Sequence, residues 1–412
     1  MIKISSIRGM HDLVGIKHSN HYEIIIQFIS IANHFNFKPI STPIMEYSEV
    51  FNRTLGNSSD VVMKEMYSFM DKNQESLTLR PEGTAGIARA IISNGLTQDI
   101  PLKFYYFGPM FRYERPQKGR LRQFTQLGVE MFSNVSHYRD FEVISLANKF
   151  LKNLSINNKL TLHINNLGDK ASRDTYVKNL KKYYIQKKDN LSEDSLIRLE
   201  KNPLRILDSK DAADIEVNKD APLINNYLSK ESNEYFNKFK NLLIASDITF
   251  LENPFLVRGL DYYNNSIFEY TLKDNDKYAV LAGGSYDNLV KDLGGPNLSG
   301  VGWAAGIERL IDLVNIKNKI ISNIVILPMN EQFISHAYNT REVLFTKKIT
   351  SEVYFVNNLK KGLKFANKIT ATHVIIIGED EIKKSLLSIK NLVTGNQELI
   401  KKEDLLKHLE NA

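Results

Sequence analysis

Cysteine is absent from the 412 residues, which excludes disulfides, thiolate metal sites and cysteine nucleophiles together. Long apolar runs are missing as well. Stretches such as Ile24-Ile25-Ile26 and Val374 to Ile377 fall far short of the roughly 20 residues that span a bilayer. The opening residues do not set a basic stretch before an apolar one, so no secretory leader is expected and a cytoplasmic location is. There is no Walker A sequence, no Gly-x-Gly-x-x-Gly opening a helix and no His-Glu-x-x-His, and the nine histidines show no metal-ligand spacing. Phosphate chemistry in this chain would have to rest on arginines and a strand platform.

What is present is a chain of globular composition, long enough for two or three domains with real cores. Lysine and arginine total 54 against 47 acidic residues, a net charge of +7, which points weakly to a polyanionic partner. Local density is more informative. Arg112, Arg115, Lys118, Arg120 and Arg122 face only Glu114 within one short segment. Such a loop either contacts phosphates or forms a solvated turn.

Periodicity organises the rest. Residues 20 to 36 carry a helical apolar pattern (Tyr22, Ile25, Ile26, Ile29, Ala32) that Lys38-Pro39 closes. Ile40 to Met45 is extended, and Pro43 confines it to an edge or interface. Met66 to Met70 and Leu77 to Arg80 read as strands, followed by a helix from Ala85 to Ser93. Leu102 to Tyr113 and Arg122 to Phe132 form a predicted hairpin around the basic loop. From about 171 to 247 charged, amphipathic helical pattern dominates, as in an inserted helical subdomain. Strand character returns at Phe255 to Tyr263, Ser266 to Leu272 and Tyr278 to Ala282, and Gly300 to Leu310 passes from strand to helix. After Lys319, Ile321 to Pro328, Val353 to Val356 and Val374 to Ile377 alternate with helical stretches, the pattern of a small α/β domain with a mainly parallel sheet.

Five constellations could carry chemistry. Leu256-Val-Arg-Gly-Leu-Asp-Tyr-Tyr263, if extended, puts Arg258, Leu260 and Tyr262 on one face and Asp261 and Tyr263 on the other. A buried Arg258 needs an anion, either a protein carboxylate or one from a ligand. In Arg80-Pro-Glu-Gly-Thr84, Thr84 suits an N-cap, and Glu82 with Thr84 could equally bind an ammonium. Gln126, Gly128 and Glu130 share one strand face, a flat floor with acceptors at either end, while Leu127, Val129 and Met131 face a core. Glu130 could accept a hydrogen bond from a proton-bearing ring nitrogen, which an imidazole would supply. Arg112 sits between aromatics, suited to stacking or to bidentate phosphate binding. Arg309, early in a helix, needs either an anion or a local carboxylate.

In order along the chain these segments resemble the histidyl-tRNA synthetases, a family of class II aminoacyl-tRNA synthetases. The match runs from Ile7-Arg8-Gly9-Met10-His11-Asp12 through a proline-bearing motif 1 around Pro43. Motif 2 is similar to Thr78 to Ala90 with Phe107-Gly108-Pro109-Met110-Phe111-Arg112 to Glu130, and motif 3 to Gly300-Val301-Gly302-Trp303-Ala304-Ala305-Gly306-Ile307-Glu308-Arg309. Leu256 to Tyr263 and Ala282-Gly283-Gly284-Ser285-Tyr286-Asp287 resemble the histidine-specific elements. The resemblance implies an α+β catalytic domain on an antiparallel sheet (residues 1 to 320, with a helical insertion at about 171 to 247) and an α/β anticodon-binding domain from 321 to 412. It implies a homodimer, ATP as substrate with Mg²⁺ on its phosphates, no protein-held metal, and transfer of histidine to histidine tRNA.

Site residues follow from the same resemblance. Glu82, Gly83, Thr84 and Gln126 would hold the α-amino end of histidine, with Glu130, Tyr262 and Tyr263 at the imidazole. Arg112 and Arg258 would act on the reacting carboxylate and α-phosphate, Arg120 and Arg309 would bind ATP, and Arg115, Gln117 and Lys118 would meet the tRNA. Ser285 departs from the pattern, which has an arginine before Tyr-Asp. The rival is the non-catalytic regulatory subunit of ATP phosphoribosyltransferase, which shares the catalytic fold but lacks the C-terminal domain.

Overall fold

A computed structural model describes residues 4–56, 59, 61–316 and 323–410. The chain forms two compact units, Met1–Ile316 and Lys317–Ala412; the boundary expected near 320 lies outside the described residues.

The first unit is built on an eight-stranded sheet with strands in the order Lys38–Pro39, Leu102–Phe111, Gln123–Phe132, Gly300–Gly306, Asn275–Tyr286, Asn264–Leu272, Leu160–Asn166 and Leu251–Glu252. Its central pairs are antiparallel, and the two-residue edge strands pair in parallel. On one face Leu127, Val129, Met131, Phe268, Leu281 and Val301 pack a core with the helices Ile16–His34, His137–Asn153 and Lys230–Ala245. Trp303 anchors it, stacked on Phe150 at 6.1 Å between ring centroids and edge-on to Phe28. Its indole donates to the Val143 carbonyl at 3.0 Å, so the ring is buried with its polar atom satisfied.

The first helix buries His21, Ile24, Ile25, Phe28, Ile31 and Ala32. Of the predicted stripe Tyr22, Ile25, Ile26, Ile29 and Ala32, Ile25 and Ala32 are buried and Ile29 packs against the core, while Tyr22 and Ile26 are turned out and roughly half exposed. The aromatic cluster around Phe28 sets the rotation, and that long-range contact has no local signature. Helix Lys170–Gln186 opens the predicted helical stretch, and Glu193–Lys201, Ala212–Asn218 and Lys230–Ala245 follow. Asp169, Ser192, Asp211 and Ser229 cap them through their side chains. The last helix differs in kind, because Phe236, Phe239 and Leu243 belong to the main core.

A small antiparallel sheet joins Met45–Tyr47, Ser76–Leu79 and Tyr67–Met70. Of Ile40 to Met45, expected to be extended, only Met45 lies in a strand, although the Ile40 amide donates to the Tyr105 carbonyl and the Ile44 carbonyl accepts from the Arg80 amide, each at 2.9 Å.

In the second unit Asn323–Pro328 lies between Thr350–Val353 and His373–Ile377, both parallel to it. Alternation divides its side chains: Ile324 and Ile326 pack with Ala337 and Leu344, Val325 and Leu327 with Ala366. Burial on both faces explains the unbroken apolar run. The sheet is only partly parallel as expected. Leu386–Asn391 and Gln397–Lys401 add an antiparallel hairpin that their charged, weakly apolar sequence did not announce.

Candidate active site

A cavity opens on the other face of the large sheet, where Tyr106, Phe132, Ile267 and Tyr286 join a second core. Strand Gln123–Phe132 forms its floor, and alternation sends Gln126 and Glu130 toward this side. Gly128 does not leave the floor flat. A Cβ there would lie 2.7 Å from the Tyr106 hydroxyl, and one at Gly83 would lie 2.3 Å from the Tyr106 ring. The two glycines make room for this tyrosine, whose hydroxyl donates to Gln126 Oε1 at 3.2 Å. The same oxygen accepts from the Gly83 amide at 3.1 Å.

Glu82, not Thr84, caps helix Thr84–Ser93. Its carboxylate accepts from the amides of Thr84 at 2.7 Å and Ala85 at 2.8 Å. Thr84 is thereby free to donate to Glu130 Oε1 at 2.6 Å, while the Tyr286 hydroxyl donates to Glu130 Oε2 at 2.5 Å. Glu130 is fully enclosed beneath the cavity, with Thr84 rather than Glu130 on its wall. Burial pushes the Glu130 carboxyl up to about 8; the two hydroxyls oppose the shift and nearby Glu82 adds to it. Burial also raises Glu82, against the pull of its backbone donors and Arg112.

The octapeptide is not a strand. Asn253-Pro254 opens a turn after the edge strand; Asn165 donates to the Leu256 carbonyl at 2.9 Å, and side chains from the helical stretch take three further carbonyls of the loop. Arg173 donates to the carbonyls of Asp261 and Tyr263, at 3.1 and 2.9 Å. Arg205 donates to that of Arg258 at 3.4 Å. Without alternation, Tyr262 and Tyr263 lie side by side, 4.5 Å between centroids, and both line the cavity. Arg258 also lines it while donating to Glu269 at 2.7 Å. Its anionic partner in the protein is thus Glu269, and with Tyr263 this carboxylate outweighs the burial that would depress the guanidinium.

Three further arginines converge at the opposite end. Arg112 donates to the Pro81 carbonyl at 2.9 Å and lies over the Phe124 ring. Arg120 is 3.4 Å from Glu114. Arg309 donates to the carbonyls of Gly119 at 3.0 Å and Ala279 at 2.5 Å and lies over Tyr278. Burial lowers the Arg309 guanidinium, and repulsion from Arg120 and Arg112 adds to this. An anion among these groups would relieve that repulsion.

Arg115, Gln117 and Lys118 lie outside the cavity, exposed on the loop beside Arg120. The base of this loop is tied to the N-terminal motif, since the Gly9 carbonyl accepts from the Arg122 amide at 2.8 Å. Ser285 is buried and donates to Asp140 at 2.8 Å. Sequence reasoning did not single out Tyr106, Glu269 or Arg139. Tyr106 was recoverable from cross-strand register with Gly128; the others required the tertiary fold.

A cavity with Glu82 and two tyrosines at one end, and three guanidiniums beside Glu114 and Glu308 at the other, laid along an antiparallel sheet, follows the plan of the class II aminoacyl-tRNA synthetases. The family model described as histidyl-tRNA synthetase matches residues 9–310, and an anticodon binding domain model matches residues 323–412. The histidine–tRNA ligase of Gluconobacter oxydans is 42% identical over 98% of this chain and 97% of its own. That of Gluconacetobacter diazotrophicus is 44% identical over 96% of each. Among solved structures, the apo histidyl-tRNA synthetase of S. aureus superposes with a TM-score of 0.81 at 31% identity, covering 99% of both chains. The chain belongs to the histidyl-tRNA synthetase family.

Proposed function

We propose that this chain activates L-histidine with ATP to histidyl-adenylate and pyrophosphate, then transfers the histidyl group to the 3′ end of histidine tRNA. The observation that carries the reading is one cavity with an amino-acid end and a polyanion end. Glu82, Thr84 and Gln126, with the Gly83 backbone, hold the α-ammonium. Tyr262 and Tyr263 wall the imidazole, and Glu130 reaches it through Thr84. Arg112 and Arg258 face the reacting carboxylate and α-phosphate, while Arg120 and Arg309 take the outer phosphates.

A carboxylate oxygen of histidine attacks the α-phosphorus as the bond to pyrophosphate breaks. Alignment and charge neutralisation lower this barrier, and no protein nucleophile is required. Glu308 Oε2 is buried without a hydrogen-bond partner among the described residues and lies at the cavity wall. It fits a Mg²⁺ shared with the ATP phosphates, which would neutralise phosphate charge. In the second step a ribose hydroxyl at the tRNA 3′ end attacks the acyl carbon and AMP leaves. Arg115, Gln117 and Lys118 guide the acceptor end, and the second unit meets the anticodon.

The proposal includes a cytoplasmic location, where ATP and tRNA meet, and a homodimer. Ile44, Met45, Tyr47, Phe69 and Met70 are exposed on and beside the small sheet, a cluster suited to a second copy. Sedimentation should give the dimer mass, and a monomer at micromolar concentration would remove this part of the proposal. Histidine-dependent pyrophosphate exchange tests the activity itself. Histidine binding without any exchange would instead favour the regulatory-subunit reading.

A further inference from the structure

Behind the sheet, on the face away from the cavity, lies a buried charge cluster that the proposed mechanism does not use. Arg139, at the start of helix His137–Asn153, is 2% exposed. It donates to Asp140 Oδ1 at 3.3 Å and to the Ser133 carbonyl at 3.2 Å, and it stands 3.8 Å from Asp287 Oδ1. Each carboxylate carries the contact onward. Asp140 Oδ2 accepts from Ser285 at 2.8 Å and from Tyr235 of helix Lys230–Ala245 at 2.7 Å. Asp287 Oδ2 accepts from Asn264 and Asn265, each at 2.8 Å. Those asparagines directly follow Tyr263, and Ser133 directly follows the floor strand.

The residue between the two tethered positions is Tyr286. Alternation turns it to the opposite face, where its hydroxyl meets Glu130. We propose that Arg139 is a positioning residue for the histidine end of the site: it clamps Ser285 and Asp287 from behind and so fixes Tyr286 on Glu130 and Tyr263 at the wall. The inference rests on reading the cavity as a histidine-activating site. Removing the guanidinium leaves buried Asp140 and partly exposed Asp287 without their cation, so local rearrangement follows. Both Arg139 and Ser285 meet Asp140, one at each oxygen, and the exchanged pair asks whether a guanidinium serves this carboxylate from the other position.

The test is histidine-dependent pyrophosphate exchange with the full chain. Arg139→Met should raise the KM for histidine about tenfold or more and leave the KM for ATP within about twofold, because the cluster supports only the histidine end. The exchanged pair Arg139→Ser with Ser285→Arg should bring the histidine KM back to within about threefold of wild type. An unchanged histidine KM in folded Arg139→Met overturns the proposal, as does an equal rise for both substrates or a folded exchanged pair with no recovery. Should Arg139→Met not fold, Arg139→Lys keeps the charge but loses the planar fork, and a wild-type histidine KM there overturns it as well. Absence of exchange in the wild type would instead overturn the functional reading beneath it.

Discussion

At the amino-acid end of the cavity, Glu82 and Glu130 are enclosed by donors from the protein itself: two amides for the first, two hydroxyls for the second. At the other end, Arg112 and Arg309 direct hydrogen bonds to backbone carbonyls and rest on aromatic rings. The acids are internally satisfied, and burial favours their neutral form. The cations remain close to one another, and Arg112 and Arg120 share the single carboxylate of Glu114. One end is therefore set for shape and hydrogen bonding, the other for charge. Arg258 stands between these regimes, lining the cavity with a full carboxylate partner in Glu269.

The sharpest challenge to this division is Arg258→Ala. Exchange should fall about 10²- to 10³-fold, the range seen when one preorganised transition-state donor is removed. A loss under about threefold would mean that Glu269 keeps the guanidinium out of the reaction. Arg309→Ala should act on one end only, raising the KM for ATP about tenfold, the scale of a charged hydrogen bond, with the histidine KM unchanged.

Glu130→Gln tests the neutral floor through stability. The folded pKa of Glu130, about 8, lies above the ordinary carboxylate value. Its contribution is therefore fully present below the unfolded pKa and is lost as pH rises through about 8. Urea midpoints of the ligand-free wild type should fall relative to those of Glu130→Gln between about pH 5 and pH 8.5. Parallel midpoints across that window would show that the carboxyl is ionised in place. The smallest effect is expected outside the cavity. Lys118→Ala should leave pyrophosphate exchange intact and make the slope of log tRNA affinity against log salt shallower by about 1. A reduced exchange rate would move this residue from the tRNA face to the site.

Legibility in the sequence followed the same divide. The faces of Gln126 to Glu130 could be read because they differ in chemistry and a period of two sorts them, but the floor at Gly128 is filled by Tyr106 rather than flat. Leu256 to Tyr263 could not be read this way, since carbonyls of its loop are satisfied by Asn165, Arg173 and Arg205, all remote in sequence. Its extended composition therefore never becomes a ladder. The cap at Thr84 was misassigned for a related reason: Thr84 and Glu82 both suit the helix start, and only the position of Glu130 decides between them. The arginines were legible as a set through the resemblance, but their carbonyl and ring partners were not. Ser285 appeared in sequence as a missing cation, and the fold places Arg139 on the same face of the sheet, with Asp140 between the two.

Helix Lys230–Ala245 contributes Phe236, Phe239 and Leu243 to the main core, while Arg173 and Arg205, earlier in the helical stretch, hold the octapeptide loop. The region therefore cannot be excised as a cassette. A shortened chain would have to rejoin before Ser229 to retain its interior, and even then the tyrosine wall would lose the scaffolding that holds its main chain.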